Sequence, residues 1–191
     1  MRFVFLLAAV AACTSDGGGN VTGHTPGGSF DPAATVSAAV TVSDGAGGSN
    51  SEAVIVLSSE STVCGDAGAM PPIERKNSRA MNIRLMDVAG GTTTAPTAPG
   101  TYMIYPNSGS QPPKEALFDV IGIDDTCQQV DAEDAQGQSG TVTLTSVTAG
   151  VFKGSFDVTL NTGDHITGSF DPTACPALSA LAEPSQSSTC D

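Results

Sequence analysis

The segment Val151–Leu160, VFKGSFDVTL, puts Phe152, Phe156, Val158 and Leu160 on one side of an extended chain and Val151, Lys153, Ser155, Asp157 and Thr159 on the other. A period of two is the signature of a strand with one buried face. A slip of one residue would carry both aromatic rings to solvent, so the register is tightly specified. The same alternation precedes it in Val142 and Leu144, set between Thr141, Thr143 and Thr145, and follows it in Ile166, Gly168 and Phe170, set between His165, Thr167 and Ser169. Ala149-Gly150 and Asn161-Thr162-Gly163-Asp164 supply the turns. Together these stretches predict an antiparallel meander with one dry and one wet face.

The rest of the chain from Thr35 onward reads the same way. Predicted strands are Thr35–Ser43, Glu52–Ser58, Arg79–Asp87, Thr101–Tyr105, Ala116–Ile123, Gly140–Thr148, Val151–Leu160 and His165–Asp171. Ala116–Ile123 carries apolar groups on both faces, which predicts a central strand covered on both sides. No segment shows a helical i, i+3, i+4, i+7 stripe of useful length. Residues 65–78 have room for one helical turn before Pro71-Pro72 forbids more. About eight short strands imply an all-β fold, an antiparallel β-sandwich or a partly closed barrel. The tetrapeptide Gly-Ser-Phe-Asp occurs at 28–31, 154–157 and 168–171. Its irregular spacing excludes a solenoid repeat and suggests a shared strand-end geometry.

The front of the chain is of another kind. Arg2 is followed by ten unbroken apolar residues, Phe3 to Ala12, and then by Cys13. A membrane-spanning helix needs roughly 20 such residues, whereas this run fits the apolar core of an export signal. Val10-Ala11-Ala12-Cys13 resembles the lipobox of bacterial lipoprotein precursors. The resemblance implies cleavage after Ala12 and a diacylglycerol and fatty acyl chains such as palmitate on Cys13. It also implies an anchor in the cell envelope. Thr14, where an Asp would favour inner-membrane retention in that family, points by the same analogy to the outer membrane. Residues 1–12 are therefore expected to be a signal peptide and 13–33 a lipidated cysteine with a flexible Gly-rich tether containing His24. Residues 34–175 are expected to form the β-domain and 176–191 a tail tied down by a disulfide. The run from Gly140 to Cys175 also resembles the C-terminal meander of uncharacterised bacterial lipoproteins, which supports the fold class and implies no chemistry.

With Cys13 set aside, Cys64, Cys127, Cys175 and Cys190 remain. An even number in an exported chain predicts two disulfides, with three connectivities open. No two lie in the close spacing of a zinc site.

Charge narrows the partners. Seven Lys+Arg against 20 Asp+Glu give a formal net charge of -13, and loss of Arg2 with the leader would make it one unit more negative. Such a chain repels phosphate backbones, so no nucleic-acid partner is expected. The membrane, reached through lipid on Cys13, is the expected partner, and a protein or glycan partner stays open. Catalytic signatures are absent. His165 is the one histidine of the domain and sits on a polar strand face, no Gly-x-Ser-x-Gly elbow precedes a helix, and neither a phosphate loop nor a dinucleotide fingerprint occurs. No cofactor and no enzymatic activity are expected. Asp119, Asp124, Asp125, Asp131, Glu133 and Asp134 crowd together. Their bland reading is a solvated loop. The sharper readings are a calcium site on Asp124, Asp125, Asp131, Glu133 and Asp134, or a carboxylate pair for a hydrolase. Tyr102 and Tyr105 fall on opposite faces of one strand, so one could meet a sugar. The expectation is a non-catalytic envelope lipoprotein with a structural or binding domain. The alternatives are a calcium- or carbohydrate-binding adhesion module and a carboxylate-dependent hydrolase.

Overall fold

A computed structural model describes residues 17–43, 49–106, 110–181 and 187–191. The leader 1–12, Cys13 and Thr14 lie outside the described residues, as do 182–186 of the tail. The fold is all-β. In chain order its strands are β1 (Gly18–Gly23), β2 (Ala34–Ser43), β3 (Ser49–Ser58), β4 (Ile73–Glu74), β5 (Arg79–Ala89), β6 (Thr92–Thr94) and β7 (Gly100–Ile104). They continue with β8 (Lys114–Gly122), β9 (Ala135–Thr148), β10 (Val151–Leu160), β11 (His165–Asp171), β12 (Thr173–Ala174) and β13 (Thr189–Cys190). Two short helices, α1 (Val63–Ala67) and α2 (Leu178–Leu181), complete the set.

One mixed sheet of eleven strands runs in the order β1-β11-β10-β9-β7-β8-β5-β3-β2-β12, with β6 paired to β5. The sheet curls into a half-barrel rather than splitting into a two-layer sandwich. Its edges approach each other. β12 continues from β11 after Pro172 and pairs in parallel with β2, while the Thr35 amide donates to the Gly17 carbonyl at 3.1 Å. The seam is tightened where the Phe152 amide donates to Ser37 Oγ, which itself donates to the Gly150 carbonyl. Twisted sheets of this width curl to bury one face, and that closure also blunts the exposed edges. The pairing is not wholly antiparallel: β7 lies parallel to β8, and the separate pair β4–β13 is parallel as well.

The inner face holds the main core. Phe152, Phe156, Val158, Leu160, Ile166 and Phe170 all point into it, as their alternation requires. β8 is central, as expected, but only its inner face is fully dry. Ala116, Phe118 and Val120 are buried, while Leu117 and Ile121 outside are half-exposed. A smaller second core lies outside the barrel, where Val36, Ala38 and Val40 of β2 are covered by α1 and α2 with Ala67 and Leu178. That covering explains why the outward face of β2 is apolar, while Thr35, Ser37 and Thr41 occupy its other face.

The Gly-Ser-Phe-Asp repeats have a packing reason different from a strand-end geometry. In the β10–β11 register Gly154 faces Phe170 and Phe156 faces Gly168. Each ring lies over the other strand's glycine. A β-carbon on Gly168 would stand 2.4 Å from Phe156 Cζ, and one on Gly154 would stand 2.9 Å from Phe170 Cζ. The third copy places Phe30 in the same core, with the Arg79 guanidinium 5.6 Å above its ring.

The expected tether needs correction. Of the expected tether 13–33, only 13–16 lie outside the described residues, and Gly18–Gly23 pairs along its whole length with β11. Its glycines fit because β1 lies close against its neighbours: a β-carbon on Gly19 would stand 2.7 Å from Thr35 Oγ1. Composition alone reads as linker, but the free edge of β11 supplies backbone partners that override it. His24 is exposed on the loop that follows.

Candidate functional site

The two disulfides are Cys64–Cys175 and Cys127–Cys190. The first ties α1 to the segment after β12 and belongs to the outer core. The second ties the C-terminal strand β13 to the loop after β8. Between these staples, where β3 ends and β5 begins, lies a cavity of about 380 Å³. That falls within the usual range of small-ligand pockets, about 300–1,000 Å³. Val63, Ala67, Pro72, Ile73, Ala80 and Ile123 form its apolar walls.

One wall is ionic. Arg75 Nε donates to Asp66 Oδ2 at 2.9 Å and Nη2 donates to Asp66 Oδ1 at 2.6 Å, a two-pronged pairing. Its remaining nitrogen, Nη1, donates to Asp191 Oδ2 at 2.8 Å. Thr62 Oγ1 donates to Asp66 as well, at 2.6 Å. The hydrogen bonds from Arg75 lead in holding the buried Asp66 carboxyl below its ordinary range, with Thr62 adding to the effect and burial opposing it. The same fork raises Arg75. Asp191 is also held by its backbone: its carbonyl accepts from the Lys76 amide and its amide donates to the Glu74 carbonyl. Asp191 is thus bound to Arg75 and Glu74, which line the cavity, and Ser188 lines the same space. Glu60 and Glu74 add two carboxylates to the cavity lining.

The acidic residues singled out in the sequence do not converge. Asp124 Oδ1 accepts from the Thr126 amide and hydroxyl at 2.7 Å and from the Gln128 amide at 2.9 Å. The Gln128 bond leads in lowering its pKa. This carboxylate therefore organises the turn that presents Cys127, whose φ of 58° is itself left-handed. Asp134 Oδ1 accepts from the Gly122 amide at 3.2 Å, and its other oxygen accepts from Gln129. Glu133 leans on Gly27 and Gly122 and stands 3.8 Å from Arg79 Nε. Asp125 and Asp131 face solvent. Among the described residues no three His, Cys, Asp or Glu side chains gather as metal ligands. The calcium grouping read from the sequence does not assemble: Asp124 Oδ1 and Asp134 Oδ1 accept from local backbone amides, Asp134 Oδ2 accepts from the Gln129 side chain, and Asp125 and Asp131 point to solvent.

Asp119 is on β8, 3.8 Å from Arg84, and burial raises it, with Arg84 opposing. It shares an outer groove with Glu52, which burial raises too. Tyr102 is fully buried. Its hydroxyl donates to Asp87 at 3.1 Å and accepts from Lys114 at 3.3 Å, and Lys114 also lies 4.8 Å from the ring centre. Tyr105 is half-buried. Neither presents an open platform to a sugar. His165 is exposed, with Nε2 2.7 Å from Asp157 Oδ1.

Sequence reading missed the cavity. The available signal was the distribution of scarce cations: Arg75, Lys76, Arg79 and Arg84 crowd into ten residues of a chain that has seven Lys+Arg in all. Comparison with family models, with characterised proteins and with solved structures yields no match.

Proposed function

We propose that this chain is an exported cell-envelope lipoprotein, held to the outer membrane by lipid on Cys13, whose β-domain binds rather than catalyses. One observation carries the reading. All four cysteines downstream of Cys13 are joined to one another, so Cys13 is the unpaired thiol left over. Structural disulfides of this kind persist in oxidising compartments outside the cytosol. The odd cysteine is also the one that closes the Val10-Ala11-Ala12-Cys13 motif. The cavity walled by Arg75 and Asp66 is the binding site in this reading, and an amphipathic small molecule suits its apolar walls and charged rim.

The test is fractionation of cells making the full-length chain. The native protein pellets with membranes and is released by detergent, whereas Cys13→Ser leaves it soluble. Retention of Cys13→Ser on membranes, in the amount seen for the native chain, would contradict the lipid anchor.

A further inference from the structure

Resting on the lipid-anchor reading, we infer that the barrel seam lies against the bilayer surface and that the β7–β8 wall faces away from it. The chain joins the sheet abruptly. A β-carbon on Gly17 would stand 2.4 Å from the Asp171 carbonyl oxygen and 2.5 Å from the Thr173 amide nitrogen, so this residue is wedged at the β11–β12 junction. Its carbonyl is bonded across the seam to Thr35, and β1 then pairs with β11 over six residues. No slack remains beyond Gly17. From Cys13 to Gly17 there are four peptide steps, and a fully extended chain covers about 14 Å in that distance. A lipid on Cys13 therefore holds the seam within that reach of the headgroups.

The opposite wall is set by topology. Taking β12 as the continuation of β11, the strands between the two sides of the seam run β11, β10, β9, β7, β8, β5, β3, β2, which puts β7 and β8 farthest from it. In a closed eight-strand barrel facing walls stand roughly 16 Å apart, backbone to backbone, and a half-barrel curled until its edges meet puts its middle strands at a similar distance from the seam. The surface at the seam suits the contact. It is a shallow groove of Gly17, Gly18, Lys153, Asp171, Thr173 and Ala174, whose single carboxylate, Asp171, is bridged to Lys153 Nζ at 2.6 Å. In a chain of net charge -13, this patch is locally neutral and does not repel anionic headgroups. On the far wall the outer side of β8 carries Glu115, buried, and Asp119, partly exposed beside Arg84.

The chain has no tryptophan, so single Trp substitutions report without background. Asp171→Trp sits on the seam, and Met103→Trp replaces a residue 51% exposed on β7. The native lipidated forms are reconstituted into phosphatidylcholine vesicles containing a headgroup-nitroxide lipid. Emission from Asp171→Trp is expected to be largely lost, and emission from Met103→Trp retained. Inserting about 20 Gly/Ser residues after Asp16, enough for a coil-like reach well beyond 14 Å, restores the Asp171→Trp signal while the protein still sediments with vesicles. Equal quenching at both positions, stronger quenching at Met103→Trp, or no effect of the insertion overturns the orientation while leaving the anchor standing. Failure of the uninserted protein to sediment with vesicles overturns the anchor, and the orientation with it.

Discussion

At the scale of single residues, the fold depends on places where a side chain must be absent. Gly168 is one. A methyl group there meets the Asn20 carbonyl oxygen at 2.3 Å as well as the Phe156 ring, so the backbone of β1 and the core both resist it. Gly168→Ala is expected to destabilise the domain by about 1–3 kcal/mol, the usual cost of overpacking, measured by urea unfolding. An unchanged midpoint would mean that the β1–β11–β10 packing is looser than described. Asp66 gives a pH-dependent counterpart. Its folded pKa lies below the ordinary value, chiefly through hydrogen bonds from Arg75. The stabilisation is therefore fully present above the unfolded value, near 3.9, and is lost as the pH falls through the folded value. Asp66→Asn should lower Tm at pH 7, and the gap to the native chain should close as the pH drops below about 4. A gap that widens in acid would contradict the assignment.

At the scale of elements, the two staples differ in exposure. Cys175 is wholly buried beside α1, whereas Cys190 belongs to the exposed strand β13 at the end of the chain. Thiol exchange needs access to sulfur. Graded treatment with a dithiol followed by alkylation is expected to label Cys127 and Cys190 first and Cys64 and Cys175 only on unfolding. The reverse order, read by peptide mass mapping, would contradict the packing. Removing the Cys64–Cys175 bridge, which spans 111 residues, should be the more damaging loss: chain-entropy arguments assign about 4–5 kcal/mol to loops of this size.

Element by element, legibility followed burial. β10 and β11 match the expected bounds, and β2, β3, β5 and β7 to β9 lie where the alternating runs place them, because one dry face imposes a readable period. β1 was illegible: Gly18–Gly23 has one apolar side chain, Val21, and owes its form to the edge of β11. β4, β12 and β13 are two-residue pairings fixed by disulfides and neighbouring strands, which leave no local pattern. The helical turn allowed in 65–78 occurs slightly earlier, at Val63–Ala67. Asp66, Arg75 and Asp191 come together from three separate elements, and nothing in their spacing announces it. The acidic run at 124–134 misled for the opposite reason, since proximity along the chain did not become convergence in space.

For the whole molecule, the proposed lipid-anchored, exported chain rests on a few features taken together. A curled sheet with few aromatics carries two long-range staples, its charge is strongly acidic, and two of its scarce cations, Arg75 and Arg79, line one cavity. The chain joins the sheet at a wedged glycine four residues past the odd cysteine. The most direct test of the account is intact mass spectrometry of the native protein extracted from membranes. It predicts a chain beginning at Cys13, heavier than its sequence by a diacylglycerol and attached fatty acid, and lighter by four hydrogens for two disulfides that resist alkylation until reduced. A chain still beginning at Met1, unmodified and with five alkylatable thiols, would contradict it.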